Sequence, residues 1–373
     1  MKRIFLVAGE SSGDAHGAAL VRALRAQAPD LICEGLGGRQ MAEAGMTLRH
    51  DLAGEAVMGF FEVVRHFPAI RRLFLDTAAY IESSRPDALV LIDYPGFNIR
   101  LAKRAHAAGI PVIYYISPQV WAWKKQRIHT IARCVRRMLV IFPFEQPLYQ
   151  QVGVDCVYVD HPLLDHVAAY TPQRCFEGAP IVGLLPGSRA QEIARLLPIM
   201  IDVAREIRAR HPEMRFAAAA VDAARADQVR RIAGDFPIEI TVGGMYDILA
   251  AARCCMVASG TATVEAALFG APMTILYRVS PPTYWLARLL VDVEHIGMVN
   301  ILAGRQIVPE FIQQDASVGR ILPQLLELID DTSARARMVE GLRGVREKLG
   351  AGGASDRAAA AILECLQEDR HDG

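Results

Sequence analysis

Short apolar runs punctuate the chain, each followed by a stretch with helical periodicity. The runs fall at 4–8 (IFLVA), 32–36 (ICEGL), 88–92 (ALVLI), 111–116 (PVIYYI), 138–142 (MLVIF) and 156–159 (CVYV). A second series falls at 181–185 (IVGLL), 215–220 (RFAAAA), 238–242 (IEITV), 255–258 (CMVA) and 273–277 (MTILY). Runs that are apolar on both faces and alternate with helices predict parallel sheets covered on both sides. The rhythm breaks at HPLLDHVAAYTPQRCFEGAP, near 160–180, which reads as a linker. The expected fold class is α/β, with two Rossmann-like halves whose strand ends face a crevice. Three regions are expected: 1–165, 166–340 and a helical 341–373 that packs back on the first half. A helix is expected at 333–348, then a break at GAGGAS, then a last helix capped by Ser355 and running to about 367.

Composition narrows the class. At 373 residues the chain suits two domains, and 52% hydrophobic residues supply their cores. Lys+Arg and Asp+Glu both number 41, so net charge favours no nucleic acid or other polyanion. The seven cysteines, at 33, 134, 156, 175, 254, 255 and 365, have no metal-ligand spacing and read as free thiols of a reducing cytoplasm. No stretch approaches ~20 uninterrupted apolar residues, so no membrane span is expected.

The opening IFLVAGESSGDAHG sets glycines 9, 13 and 17 four apart. A dinucleotide fingerprint needs G-x-G-x-x-G, and a P-loop needs Gly-Lys-Ser/Thr; neither is present. The loop offers Ser12, Asp14 and His16 at the end of a strand, although Asp14 serves equally well as a helix cap. LVLIDYPGFN puts Asp93 directly after a buried strand, placed for proton abstraction or for a turn, with Asn98 opening the next helix. YISPQVWAWK sets Gln119, Trp121 and Trp123 in a loop, as a binding wall or as packing. In the second half LLPGSRAQEI brings Ser188 and Arg189 to a helix start, a pairing of free N–H groups and guanidinium that suits a diphosphate. ASGTATVE repeats the arrangement with Ser259, Gly260 and Thr261, and Glu265 lies one turn on, able to accept ribose hydroxyls or to favour the helix dipole. Two such starts in one half point to a nucleotide diphosphate. No Asp-x-Asp pair is present to hold a metal, and none is expected.

Taken together, SGDAHG (12–17), LVLIDYPGFN (89–98), YISPQVWAWK (115–124), LLPGSR (184–189), ASGTATVE (258–265) and NILAGR (300–305) resemble the lipid-A-disaccharide synthase family, in order and over nearly the whole chain. The resemblance implies a metal-independent, cofactor-free GT-B glycosyltransferase. It implies joining of UDP-2,3-diacylglucosamine to 2,3-diacylglucosamine 1-phosphate through a β-1',6 linkage, with release of UDP and inversion at the anomeric carbon. It makes Asp93 the catalytic carboxylate; were the base elsewhere, Asp14 or His16 would be next in line. Arg189, Ser188, Ser259, Gly260, Thr261, Glu265 and Asn300 would serve the nucleotide sugar, and SGDAHG would face the acceptor. Both substrates are acylated, so the chain is expected in the cytoplasm, on the inner face of the inner membrane, with Phe60, Phe61, Val64 and Phe67 touching lipid; a homodimer is left open. Two departures stand out. Asp160-His161-Pro162 replaces the family's usual Gly-His-Pro, and Met298-Val299 replaces Leu-Pro, putting hinge geometry and affinity in question. Two rival readings are a UDP-N-acetylglucosamine 2-epimerase and a non-catalytic module for anionic surfaces, the latter on the strength of nine Lys/Arg and no Asp/Glu across 100–137.

Overall fold

The computed structural model describes residues 1–55, 60–122, 126–173, 176, 178, 180–290, 294–330 and 333–368; for 55, 60–67, 286, 287, 289 and 290 it describes the backbone alone. The chain divides into two units, Met1–Asp165 with Ala351–Gly373, and His166–Gly350.

The first unit is built on strands β1 (Arg3–Ala8), β2 (Ile32–Gly37), β3 (Thr47–Asp51), β4 (Ala88–Ile92), β5 (Val112–Tyr115), β6 (Arg137–Val140) and β7 (Asp155–Tyr158). They form one parallel sheet in the order β3-β2-β1-β4-β5-β6-β7. The second unit carries β8 (Ile181–Leu185), β9 (Arg215–Ala220), β10 (Glu239–Val242), β11 (Ala252–Ala258), β12 (Met273–Tyr277) and β13 (Glu310–Ile312). These are also parallel, in the order β10-β9-β8-β11-β12-β13. The central strands β1, β4, β5 and β8 are almost wholly buried, which is why each reads as an unbroken apolar run. Each order reverses once, between β1 and β4 and between β8 and β11. The carboxyl edge of such a reversal point is where doubly wound sheets hold ligands.

The second break in the chain falls after Gly350, where 341 was expected. Helix Ser333–Lys348 belongs to the second unit because its side chains are tied there. Arg346 donates to the Leu268 carbonyl (3.1 Å) and Lys348 to that of Leu302 (2.9 Å). Helix Ala354–Glu368 belongs to the first unit. Arg137, buried at the start of β6, donates to the Ala361 carbonyl and pairs with Glu364, both at 3.0 Å.

Asp160 has φ 65°, a left-handed value that a glycine adopts without strain. Its carboxylate compensates by accepting the Ala351 amide (2.7 Å) and pairing with Arg357. Asp165 in turn accepts the Ala354 amide (3.1 Å). The departure from Gly-His-Pro therefore comes with its own tether to the returning chain.

The stretch expected to touch lipid enters helix Phe60–Ser84, which runs through Pro68. Beyond the proline, Ile70, Leu73 and Phe74 pack on the core of the first unit. The side chains of Phe60, Phe61, Val64 and Phe67 lie outside the described ones. Among the described residues no helix is long and apolar enough to cross a membrane.

Candidate active site

Two glycines of the opening stretch, Gly9 and Gly17, serve packing. Only Gly9 lies in the loop after β1; Gly13 and Gly17 sit inside helix Ser11–Gln27. A Cβ at Gly9 would collide with the Tyr94 ring, and one at Gly17 with Met41. This close approach interlocks the loops that follow β1 and β4 at the first reversal point.

Asp93 is the first residue beyond β4. It and Tyr94 both take left-handed backbone conformations (φ 46° and 47°) before helix Pro95–Ala107 begins. Such positions cost about 1–3 kcal/mol each and persist only where the surroundings hold them. Here the surroundings are specific. The Asp93 amide donates to the Tyr115 carbonyl (3.0 Å), and its own carbonyl accepts the Tyr114 hydroxyl (2.6 Å) and the Asn98 side-chain amide (2.7 Å). Asn98 is wholly buried and donates as well to the Ile92 carbonyl (3.2 Å). Its amide is committed to holding Asp93, so Asn98 positions the carboxylate where a ligand contact was expected. Burial pushes the Asp93 carboxyl up to about 6, and the negative charge of nearby Glu10 adds to the rise. Glu10 precedes helix Ser11–Gln27, and only the folded geometry relates it to Asp93.

The other first-unit candidates differ in what they can offer. Asp14 is buried, and its carboxylate accepts the amides of Gly38 (2.9 Å), Gln40 (3.0 Å) and Met41 (3.0 Å). It caps the short helix Arg39–Glu43, not its own helix, and these bonds occupy both oxygens. Ser12 is exposed and His16 half-buried on the same helix. Gln119 is exposed at the apex of the loop after β5, and Trp121 beside it is half-buried; Trp123 lies outside the described residues.

A further carboxyl lies behind this loop, one that sequence reading missed. Glu145, 1% exposed, accepts the Ser117 hydroxyl (2.7 Å) and the Trp121 indole N–H (3.3 Å). Burial pushes it up to about 7, with the Asp93 charge among the lesser causes. FPFEQP offered no pattern to find it by, beyond a carboxylate closely following an apolar strand.

In the second unit the motifs gather at the reversal between β8 and β11. Gly187 has φ 104°, and a Cβ there would collide with Glu192. Glu192 folds back over the turn, accepting the Arg189 amide (3.2 Å) and pairing with its guanidinium (3.1 Å). The Arg189 side chain is 80% exposed, and Ser188 is exposed beside it. After β11, Ser259 donates to the Ile296 carbonyl (3.2 Å), while Gly260 and Thr261 lie exposed at the start of helix Thr261–Leu268. Glu265, one turn in, accepts the Tyr246 hydroxyl (2.9 Å), and burial raises its carboxyl.

Asn300 does not share this edge's character. It is wholly buried on helix Met298–Ala303 and its amide is saturated. It donates to the Val308 carbonyl (2.8 Å) and to Glu310 (2.7 Å), and it accepts the amides of Ile307 (2.9 Å) and Val308 (3.0 Å). Glu310 also accepts the amides of Ile296 (2.9 Å) and Gly297 (3.0 Å). Asn300 thus shapes the entry to β13, with no hydrogen bond left for a nucleotide. Among the described residues no group of three His, Cys, Asp or Glu is placed to hold a metal ion.

The chain is 43% identical to the lipid-A-disaccharide synthase of Geobacter sulfurreducens, over 98% of its own length and 97% of the relative's. It is 40% identical to that of Myxococcus xanthus, over 99% and 98%. Among solved structures, a putative UDP-N-acetylglucosamine 2-epimerase from Listeria monocytogenes superposes with a TM-score of 0.68 at 13% identity, covering 99% of this chain and 98% of the other. A calicheamicin glycosyltransferase superposes with a TM-score of 0.59 at 14% identity, covering 99% of each. These structural likenesses establish the two-sheet fold; the sequence relatives establish more. The family described as lipid-A-disaccharide synthetase matches residues 4–363, and the chain belongs to it, as a glycosyltransferase of GT-B fold.

Proposed function

We propose that the chain transfers 2,3-diacylglucosamine from its UDP derivative to the 6-hydroxyl of 2,3-diacylglucosamine 1-phosphate, with Asp93 as general base. An α-linked donor and a β-linked product require one in-line displacement. The acceptor oxygen bonds to the anomeric carbon as the bond from that carbon to the β-phosphate oxygen breaks. The hydroxyl proton passes to the Asp93 carboxylate, and the bond's electron pair leaves with UDP. Arg189 and the amides at the start of helix Thr261–Leu268 meet the charge that develops on the diphosphate, an effect of about 3 kcal/mol for one well-placed donor. Glu265 receives ribose hydroxyls.

The observation that carries this reading is the state of Asp93. It is a carboxylate on a strained, firmly held backbone at a reversal point, raised to about 6, where it is ionised near neutrality yet basic enough to take a proton. The epimerase reading rests on fold alone, at 13% identity. The anionic-surface module loses ground because part of its basic block is spent internally: Arg104 pairs with Glu82 (2.7 Å) and Arg137 with Glu364 (3.0 Å). Purified protein should release UDP only when both acylated sugars are present. Release without acceptor, or conversion of UDP-N-acetylglucosamine to its 2-epimer, would overturn the proposal.

Acylated substrates also require a bilayer surface. Phe60, Phe61, Val64 and Phe67, with Arg65, Arg71 and Arg72 nearby, suit anionic lipid of the inner face, at about 1 kcal/mol per basic residue. Replacing Phe60 and Phe61 by Ser should lower binding to anionic vesicles at unchanged melting temperature. Unchanged vesicle binding would move the membrane contact elsewhere.

A further inference from the structure

The loop that carries Gln119 is held in an unfavourable shape. It leaves β5 through Ile116, whose φ of 63° is a left-handed value that a β-branched side chain resists. It then turns tightly, with the Val120 amide on the Pro118 carbonyl (2.6 Å) and the Ala122 amide on the Gln119 carbonyl (3.1 Å). Ser117, Val120 and Ala122 are buried while Gln119 alone stands out. The loop also adjoins Asp93 through the backbone, because the Asp93 amide bonds to Tyr115, one residue before the strained Ile116.

One side chain closes this loop from behind. Oε1 of Glu145 takes the hydroxyl of Ser117 at the loop's start and the indole N–H of Trp121 at its end. Its other oxygen, Oε2, is buried with no hydrogen-bond partner among the described residues. An unpaired buried carboxyl oxygen costs stability, and packing alone would be better served by an apolar side chain. Among the described residues Tyr149 and Cys156 are the other titratable groups facing it besides Asp93, and both are raised by burial.

We propose that Glu145 is a positioning residue for the transfer: its carboxyl staples the two ends of the Ser117–Trp121 loop and presents Gln119 to the hydroxyl groups of the acceptor sugar beside Asp93. The inference rests on Asp93 marking the acceptor site. A staple of this kind acts on binding of the acceptor and leaves the nucleotide sugar untouched.

The test compares Glu145→Ala, Glu145→Gln and Ser117→Ala by steady-state kinetics on the full chain, varying each substrate separately. Glu145→Ala should raise the acceptor KM roughly tenfold or more, as for loss of a buried hydrogen-bonded anchor, with the donor KM unchanged. Ser117→Ala should move it in the same direction by roughly threefold. Glu145→Gln keeps an acceptor for both donors and should restore the acceptor KM to within about twofold of wild type. Equal donor and acceptor effects, or a wild-type acceptor KM in both Glu145→Ala and Ser117→Ala, would overturn the proposal. Should Glu145→Ala fail to fold, Ser117→Ala decides alone. The base reading fails separately: normal turnover in Asp93→Asn would sink it, whereas an inactive Asp93→Asn with normal Glu145 and Ser117 variants sinks only the staple.

Discussion

The two reversal points of this molecule solve opposite problems. At β1/β4 the candidate base is half-buried, strained and held from several sides. Asp93 is fixed through its own backbone by Tyr114, Tyr115 and Asn98. At β8/β11 the groups are exposed, and Arg189 is held mainly by a neighbour on its own turn, Glu192. The first arrangement suits proton transfer, where a low-dielectric setting raises a carboxyl and geometry must not drift. The second suits capture of a charged ligand, where an exposed guanidinium and free amides can exchange a weak internal partner for a diphosphate. The contrast teaches that one architecture gives preorganisation or openness according to the loop at the strand's carboxyl end.

The largest expected effect breaks the first region. Asp93→Asn should lower kcat by about 10²–10⁴-fold, the usual contribution of a general base. Asn tolerates the left-handed backbone, so the fold should survive. Stability should in fact rise. The folded carboxyl holds its proton up to about 6, against an ordinary 3.8, so stability falls as pH climbs through that window and the loss is complete above it. Removing the charge should recover up to about 3 kcal/mol at pH 7.5, seen as a higher melting temperature. A lower melting temperature would mean that the half-buried charge stabilises the native state through a contact beyond those described.

The next effect breaks the second region. Arg189→Ala should weaken UDP binding about tenfold to a hundredfold by calorimetry, as for a charge-assisted hydrogen bond to a phosphate. Its melting temperature should barely move, because the side chain is 80% exposed. Unchanged affinity would make Arg189 a partner of Glu192 only.

Asn300→Ala sharpens the distinction between shaping and binding. Removing a saturated buried amide should cost about 2–3 kcal/mol by denaturant unfolding and leave the carboxylate of Glu310 and two amides short of partners. UDP affinity in the folded fraction should stay near wild type. A selective loss of UDP binding without loss of stability would return Asn300 to the nucleotide site.

The smallest effect concerns Glu192. If its carboxylate occupies the place of a phosphate over the GSR turn, Glu192→Gln should tighten UDP binding by about two- to fivefold, since a neutral partner competes less with a dianion. Weaker binding would show that Glu192 orients Arg189 for the ligand.

Much of this contrast was legible before the fold was known. The central strands announced themselves because burial on both faces leaves only apolar residues in them. The placement of Asp93, Arg189 and Thr261 at strand ends was legible because each follows such a strand. β3 was missed because TLRHD is an edge strand with charged and polar positions, and β13 because three residues carry no periodicity. Asp14 looked like a ligand because type and position are visible in a sequence, whereas hydrogen-bond partners 24 residues away, as for Gly38, are not; Asn300 entered through the resemblance alone, which does not show its bonds to Val308 and Glu310. Glu145 was invisible for the same reason: its partners lie 28 and 24 residues back in the chain.

The central claim is that Asp93 takes the proton. The pH dependence of kcat/KM reports the essential ionisations of the free enzyme, so wild type and Asp93→Asn should be compared across about pH 4.5–8.5. The wild-type rate should fall as pH drops through about 6, because protonation silences the base. The residual activity of Asp93→Asn should lack that limb. An unchanged limb near 6 in Asp93→Asn would place the base on another residue, His16 first among them.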